Sequence, residues 1–174
     1  MPRATDNLPA RKMAALLALA ATAGCTTMAS IPPGTPLAEV ESQYGRPNFS
    51  CPLPDGGQRA IWTQQPLGQY AWASDVGPDG RTNGVQAILT DAYFERLREG
   101  TWTAGQVQCA FGPPALVREV GLPSVRQVVW SYRYKQSGVW NSLMHVYMGR
   151  DGDRVTRFHP GPDPMYDDER WPGI

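Results

Sequence analysis

The stretch GTPLAEVESQYGRP, Gly34 to Pro47, returns in altered form as GTWTAGQVQCAFGPP, Gly100 to Pro114. Both stretches begin with Gly-Thr and end with an aromatic residue, a glycine, any residue and a proline. The closing prolines lie 67 positions apart and the opening glycines 66. Two motifs that keep their register over such a distance indicate an internal duplication.

Each motif is typical of a short helix with its exit turn. In the first, Thr35 is placed to cap the helix and Pro36 suits the first helical position. In the second, Thr103 and Gln106 have the spacing of a capping box. Glycines and then prolines end both helices, at Gly45 and Pro47 and at Gly112, Pro113 and Pro114. Apolar residues at helical spacing predict one buried face per helix, formed by Leu37, Val40 and Tyr44 and by Val107, Ala110 and Phe111.

The residues that follow each motif alternate between two faces, which is the period of a β-strand. In the second half, the run VVWSYRY from Val128 to Tyr134 places Trp130, Tyr132 and Tyr134 on one face. Asp79-Gly80 and Asp151-Gly152 predict a hairpin turn in each half.

The tryptophans of the two halves also match, since Trp62 corresponds to Trp130 and Trp72 to Trp140 in the predicted repeat. Residues 91–99 predict a further helix, with Asp91 as its cap and Tyr93, Phe94 and Leu97 pointing inward. The predicted fold is therefore α+β. It consists of two tandem repeats, each a short helical motif packed on a small antiparallel sheet of about three to four strands.

Residues 1–24 have the pattern of an export signal. Basic residues, Arg3, Arg11 and Lys12, precede an apolar run of eleven residues from Met13 to Ala23. That run is too short to span a bilayer. A buried amphipathic helix is the alternative interpretation, but the run has no polar face.

The junction Ala23-Gly24-Cys25 resembles the lipobox of bacterial lipoproteins. The resemblance implies that residues 1–24 are removed as a lipoprotein signal peptide and that Cys25 is acylated. Thr22 stands where the lipobox prefers Leu, which leaves ordinary signal-peptidase cleavage open. By resemblance to the Gram-negative sorting rule, Thr26 implies the outer membrane. Residues 25–30 would then be the tether, held stably because several acyl chains bind a membrane far better than one.

The repeated motif and the Trp-bearing strands, together with this leader, resemble the SmpA/OmlA, or BamE-like, domain of outer-membrane lipoproteins. The resemblance implies one repeat over residues 31–98 and a second over residues 99–160, with an irregular tail over residues 161–174. The same architecture occurs in tandem in the β-lactamase inhibitor protein.

The resemblance to BamE-like lipoproteins implies a protein anchored at the periplasmic face of the outer membrane that acts by protein–protein binding. Envelope or outer-membrane protein assembly is the implied process, with one or more envelope proteins as partners. An inhibitor-like module that blocks a periplasmic enzyme is the alternative within the same class.

Two cysteines remain once Cys25 is assigned to lipid. Export permits disulfides, and a bond between Cys51 and Cys109 would contribute about 4 kcal/mol from chain entropy. Against this, Cys109 lies in a predicted helix, where a small free thiol often simply packs. Both interpretations remain open.

The residues offer little sign of catalysis. The chain has 16 basic and 16 acidic residues and no Lys/Arg block, so a nucleic-acid partner is not predicted. His145 and His159 are not near other ligands at metal-site spacing, so we expect no metal and two ordinary strand histidines. Phosphate-loop, dinucleotide and Gly-x-Ser-x-Gly motifs are missing, so no cofactor and no enzyme is predicted. A cell-envelope hydrolase with a site invisible in sequence is the remaining alternative.

Six aromatic residues in the predicted strands allow two interpretations. They either form the core under the helices or provide a partly exposed protein-binding face, since Trp and Tyr are typical interface anchors. These residues are Trp62, Trp72, Trp130, Tyr132, Tyr134 and Trp140. In the tail, Trp171 either docks on the body or serves as a small recognition motif.

Overall fold

The computed structural model describes residues 27–166; the predicted signal peptide, Cys25 and Trp171 lie outside the described residues. The described chain is α+β, with three helices and two four-stranded antiparallel sheets. Its first half contains α1 (Leu37–Tyr44), β1 (Phe49–Pro52), β2 (Gln58–Thr63), β3 (Ala71–Val76) and β4 (Gln86–Ala87). Its second half contains α2 (Asp91–Phe94), α3 (Ala104–Phe111), β5 (Leu116–Val120), β6 (Gln127–Gln136), β7 (Trp140–Tyr147) and β8 (Arg157–Pro162). No helix in this part of the chain has both the length and the apolar character needed to cross a membrane.

Both predicted motif helices are present, and α1 and α3 each span eight residues. The capping box of α3 is confirmed: Gln106 N donates to Thr103 Oγ1 over 3.3 Å, and Thr103 N donates to Gln106 Oε1 over 2.8 Å. The glycine stops are confirmed as well, with φ of 80° at Gly45 and 78° at Gly112. Glycine adopts such values without the strain that a Cβ atom would add.

The predicted cap of α1 is wrong by one residue. Pro36, and not Thr35, occupies the N-cap position, and no side chain caps the helix there. The hydroxyl of Thr35 instead donates to the carbonyl of Pro32 over 2.8 Å, because the preceding chain turns tightly at this point.

The helix predicted over residues 91–99 is a short α-helix, α2, that continues as a 3-10 turn over Glu95–Arg98. Thr90 is its cap, since its hydroxyl accepts from Tyr93 N over 3.2 Å. The predicted cap, Asp91, is used elsewhere. The inward-facing residues are as predicted, with Tyr93, Phe94 and Leu97 all buried.

Each sheet is a meander in which strands adjacent in the chain are neighbours. In the first sheet Trp62 pairs directly with Trp72, whereas in the second Trp130 pairs with Val146. Trp140 instead pairs with Gln136, so the predicted correspondence of Trp72 with Trp140 is wrong. The difference arises because β6 and β7 extend further toward their turn than β2 and β3 do.

The elements stack as α1, first sheet, α2 with α3, and second sheet. One face of the first sheet packs on α1 through a cluster that includes Val40, Ala60, Trp62, Val76 and Val85. The other face joins a larger cluster with α2, α3 and the second sheet. This larger cluster includes Ile61, Ala71, Ala73, Phe94, Phe111, Tyr132 and Tyr134. The first sheet is thus covered on both sides.

Direct links join the two halves. Cys51 in β1 and Cys109 in α3 form a disulfide, with their Cα atoms 5.7 Å apart. The loop after β2 reaches the second sheet, where Arg133 N donates to Gln65 Oε1 over 3.2 Å and Arg133 Nε donates to Pro66 O over 2.8 Å. These links hold the halves in one arrangement.

The chain beyond residue 160 is more ordered than the sequence predicts. Strand β8 continues through Gly161 and Pro162, where an irregular tail is predicted. Asp163 is fully buried in an ion pair with Arg133, with 3.1 Å between Nη1 and Oδ1. This carboxylate closes one end of the outer face of the second sheet, the face turned away from α3.

Candidate functional site

The six aromatic residues do not form one exposed face. Tyr132 and Tyr134 have no exposed surface. Their rings lie 5.9 Å from Phe111 and 5.2 Å from Phe94, respectively. Trp130 packs at the edge of the same cluster. For these residues the core interpretation holds, because the face of β6 that carries them is the one covered by α2 and α3.

Trp140 is the exposed member of the set. It begins β7, where 69% of its surface is exposed, and the preceding Val139 is 64% exposed. The carboxylate of Asp91 fixes this hairpin by accepting from Tyr134 Oη over 3.0 Å and from Ser137 N over 2.6 Å. Burial, followed by the hydrogen bond to Asp91, raises the pKa of Tyr134, so its hydroxyl stays a donor. Trp140 is therefore held at a well-supported hairpin tip.

Trp62 and Trp72 line a cavity on the α1 side of the first sheet. We call this cavity, of about 510 Å³, the aromatic groove and define it by Tyr44, Arg46, Trp62 and Trp72. Volumes of this size are typical of sites that take a small molecule or a projecting side chain. Thr27, the first residue that the structure describes, also lines the groove.

The elements around the aromatic groove fix its walls. Trp62 and Trp72 are cross-strand partners on β2 and β3. The indole Nε1 of Trp62 donates to the carbonyl of Gly45 over 2.8 Å, which ties the sheet to the end of α1. Tyr70 stacks on Trp72, with ring centroids 5.8 Å apart. The groove is thus a preformed surface with one cation, Arg46, at its rim.

A second cluster lies on the outer face of the second sheet. Ser131 Oγ and His145 Nδ1 are 2.8 Å apart, and the rings of His145 and His159 have centroids 5.6 Å apart. Both histidines are hydrogen-bonded strand residues, since His159 Nε2 lies 3.2 Å from Tyr147 Oη. Burial lowers the pKa of His145, and the charges of His159 and Arg118 lower it further.

The Ser131–His145 pair differs from the nucleophile and base of a serine hydrolase. In such enzymes a third group orients the histidine, and free N–H groups stabilise the oxyanion. Here Nε2 of His145 points at the backbone of Gly161, 3.0 Å from where a Cβ atom would lie. Ser131 sits in the middle of a strand paired on both sides, which commits the surrounding backbone groups to the sheet. The arrangement suits binding better than acyl transfer.

Residues 27–166 contain no group of three or more His, Cys, Asp or Glu side chains placed to hold a metal ion. Cys51 and Cys109 are already joined to each other. The two histidines are neighbours, but nothing beside them completes a set of ligands.

The motif analysis does not predict that Ser131, His145 and His159 lie together, although the sequence contains a signal for it. Hairpins pair residues at equal distances from their turn. His145 and His159 are equidistant from Gly152, in the predicted Asp-Gly turn, and they pair across β7 and β8. Likewise, Ser131 and His145 are equidistant from Gly138 and pair across β6 and β7. Counting outward from each turn would have brought all three side chains together.

No family model, curated protein or solved structure matches the chain. The resemblance to BamE-like lipoproteins consequently rests on the short repeated motif and the leader. The geometry of the two clusters carries the functional argument.

Proposed function

We propose that this protein is a lipoprotein, acylated at Cys25 and anchored at the periplasmic face of the outer membrane, that binds an envelope protein through the aromatic groove. The observation that carries the proposal is the composition and position of the groove. Trp, Tyr and Arg, the residues most enriched at binding hot spots, line it together. Thr27, at its edge, follows the proposed anchor by two residues.

The groove favours an apolar or aromatic side chain of a partner protein. Its walls are indole and phenol rings, which bury large apolar areas at little cost in side-chain entropy. The hydrogen bond from Trp62 to Gly45 and the stacking of Tyr70 on Trp72 hold those walls before a partner arrives. Such preorganisation reduces the entropic cost of binding. Binding of this kind would fit a role in envelope or outer-membrane protein assembly.

We also propose that the two halves are tandem BamE-like repeats. Equivalent contacts support this. Leu37 N, at the start of α1, donates to Gly80 O over 2.9 Å, and Ala104 N, at the start of α3, donates to Asp153 O over 2.8 Å. A similar contact occurs at the helix-ending glycines, since Trp62 donates to Gly45 O over 2.8 Å and Tyr132, two residues after Trp130, donates to Gly112 O over 3.2 Å.

The anchor is tested by labelling. In a Gram-negative host grown with a fatty-acid analogue, the wild-type chain should carry the label and fractionate with the outer membrane. Cys25→Ser should lose both properties, because the acylated sulfur is gone. A labelled Cys25→Ser protein would disprove the anchor.

The groove is tested by crosslinking in the same membranes. A photo-crosslinking residue at position 72 should give a discrete adduct with another envelope protein. The matched control carries the same residue at position 140, an exposed tryptophan site that does not line the groove. Trp72→Ala should also reduce co-purification of that adduct's partner about tenfold or more, the scale of a hot-spot loss.

Two results would contradict the groove proposal. One is an adduct that forms equally well from positions 72 and 140. The other is partner recovery that Trp72→Ala leaves unchanged while Trp140→Ala abolishes it, which would move the binding surface to the hairpin tip.

A further inference from the structure

The outer face of the second sheet carries two cross-strand rows of side chains. One row runs from Leu116 through Ser131 and His145 to His159. The adjacent row runs from Arg118 through Val129 and Tyr147 to Arg157. We call this surface the cationic face and define it by Arg118, Ser131, His145, Arg157 and His159.

Every residue that defines the cationic face except Arg157 lines a cavity of about 230 Å³. Its polar lining comes from Arg118, Ser131, His145, Tyr147 and His159, and its apolar lining includes Leu116, Val129 and Leu143. A ligand here would meet several hydrogen-bonding groups on one side and aliphatic side chains on the other. That combination suits a small molecule with one polar end.

The charge of this surface is unbalanced. No Asp or Glu lines the cavity. Within residues 27–166 the ion pairs of arginine involve Arg59, Arg98, Arg126 and Arg133. Arg118 takes part in none of them, and Arg157 lies over the Tyr147 ring at 3.6 Å instead. Glu119, which follows Arg118 in the chain, pairs with Arg126, and Asp163, which follows β8, pairs with Arg133. The cavity therefore presents positive charge whose counterion is not supplied by the described chain.

This charge decides between a cation and an anion as the ligand. Two neighbouring histidines can attract a transition-metal ion when both are neutral. Arg118 stands close enough to act electrostatically on His145, and such a charge repels a metal ion while it attracts an anion. Guanidinium and imidazolium groups bind oxyanions through short, charge-assisted hydrogen bonds.

We propose that the cationic face is a binding site for an oxyanion, a carboxylate or phosphate group, carried by a small molecule whose apolar part contacts Leu116, Val129 and Leu143. Arg118 would donate to the oxyanion. Ser131, whose Oγ lies 2.8 Å from Nδ1 of His145, would hold that ring in place beside the anion, and His159 would lie next to it. This site lies on the second sheet and is independent of the aromatic groove.

The titration of His145 gives the proposal a pH dependence. Burial and the neighbouring charges hold the pKa of His145 below its ordinary value, so the ring is mostly neutral at neutral pH. The groups that face it are Arg118 from β5, Tyr147 on its own strand and His159 from β8, while β6 contributes Ser131. Arg157, also on β8, lies over the ring of Tyr147. A bound anion would stabilise the protonated ring. Binding should therefore take up a proton and be tighter at lower pH.

The chain allows a clean measurement because it contains only two histidines, and both lie on the cationic face. The imidazole signals of the full-length protein in an NMR spectrum thus report on this site alone. We would titrate it with benzoate and, separately, with phenyl phosphate at pH 7.5 and pH 5.5. Saturable shifts of both histidine signals are expected, with affinity rising about threefold or more at the lower pH. The two probes distinguish a carboxylate site from a phosphate site.

Matched arginine variants locate the binding. Arg118→Gln should weaken binding about tenfold, the loss expected for one hydrogen bond to a charged group. Arg157→Gln, on the opposite edge strand, should weaken it as well. Arg150→Gln removes an exposed arginine from the turn after β7 and should leave the affinity unchanged. Shifts that do not saturate with either probe, equal affinity in all three variants, or binding that tightens at higher pH would each overturn the proposal.

Discussion

The two sheets of this protein differ most on the faces turned away from their own motif helices. With Trp62 aligned on Trp130, the β3 positions Ala71 and Ala73 correspond to His145 and Tyr147 on β7. Both alanines are buried in the cluster that contains α2, α3 and the second sheet. The corresponding face of the second sheet bears the cationic cavity.

Side-chain size and polarity explain the difference. Alanine leaves room for a helix to approach a sheet closely; at Gly112, which ends α3, an added Cβ atom would lie 3.3 Å from Ile61 Cγ2. Histidine and tyrosine at the equivalent positions would hold a helix away and would lose hydration beneath it. The small side chains of the first sheet thus allow the second half to pack on it. The polar side chains on the outer face of the second sheet disfavour a further packed layer there.

The largest expected effect tests the covered position of α3. Phe111 has no exposed surface and stacks on Phe94 at 4.8 Å, between the two sheets. Phe111→Ala should lower the free energy of unfolding by about 3–5 kcal/mol. Tyr44 occupies the same position in α1 but is only partly buried, although the sequence predicts it as largely buried. Tyr44→Ala should therefore cost clearly less. Urea unfolding of both variants measures the difference. Equal losses of stability would show that α3, which lies between two sheets, is held no more firmly than α1, which packs on one.

The next prediction compares two buried arginines, Arg59 of the first sheet and Arg133 of the second, which lie on the sheet faces turned away from their own motif helices. Arg133 pairs with Asp163, whose side chain is fully buried, whereas Arg59 pairs with Asp75, whose side chain is 37% exposed. Asp163→Ala would leave a buried guanidinium without its charge partner and should cost about 3–5 kcal/mol. Asp75→Ala should cost about 1 kcal/mol, since Arg59 keeps its hydrogen bond to Tyr93 and water reaches the site. Denaturant midpoints decide this, and a greater loss from Asp75→Ala would contradict the comparison.

Much of the fold can be predicted from local sequence because the deciding signals are local. The capping pair Thr103–Gln106 and the stops Gly45 and Gly112 act within one turn of helix, and the structure has all of them. The cap predicted at Thr35 fails because its hydroxyl is taken by a turn that the motif does not reveal. Likewise, the proposed match of Trp72 with Trp140 fails because hairpin length, and not tryptophan spacing, sets the register.

The candidate sites are less predictable because they depend on contacts between distant parts of the chain. Alternation places Tyr132 and Tyr134 on one face of β6 but does not say which face the helices cover. The aromatic groove requires Tyr44 from α1 to lie near Trp72 from β3, and no residue spacing in the sequence predicts that contact. The histidine pair is different, since the turn at Gly152 would have predicted it.

The smallest expected effect concerns His145, which aligns with the buried Ala71 of the first sheet when Trp62 is aligned on Trp130. Because the pKa of His145 is lowered by folding, the unfolded chain binds more protons at this residue than the folded chain does. Stability should therefore rise with pH around the ordinary histidine pKa of about 6.5 and fall as the pH drops from 7.5 toward 5. His145→Asn should make this slope shallower, while His159→Asn, which leaves the half-buried ring of His145 in place, should preserve most of it. Urea unfolding at pH 5, 6, 7 and 7.5 in a buffer without carboxylate or phosphate gives the slopes directly. If His145→Asn leaves the slope unchanged or steeper, the ring is not held neutral by its surroundings, and the contrast between the apolar and cationic faces loses its electrostatic basis.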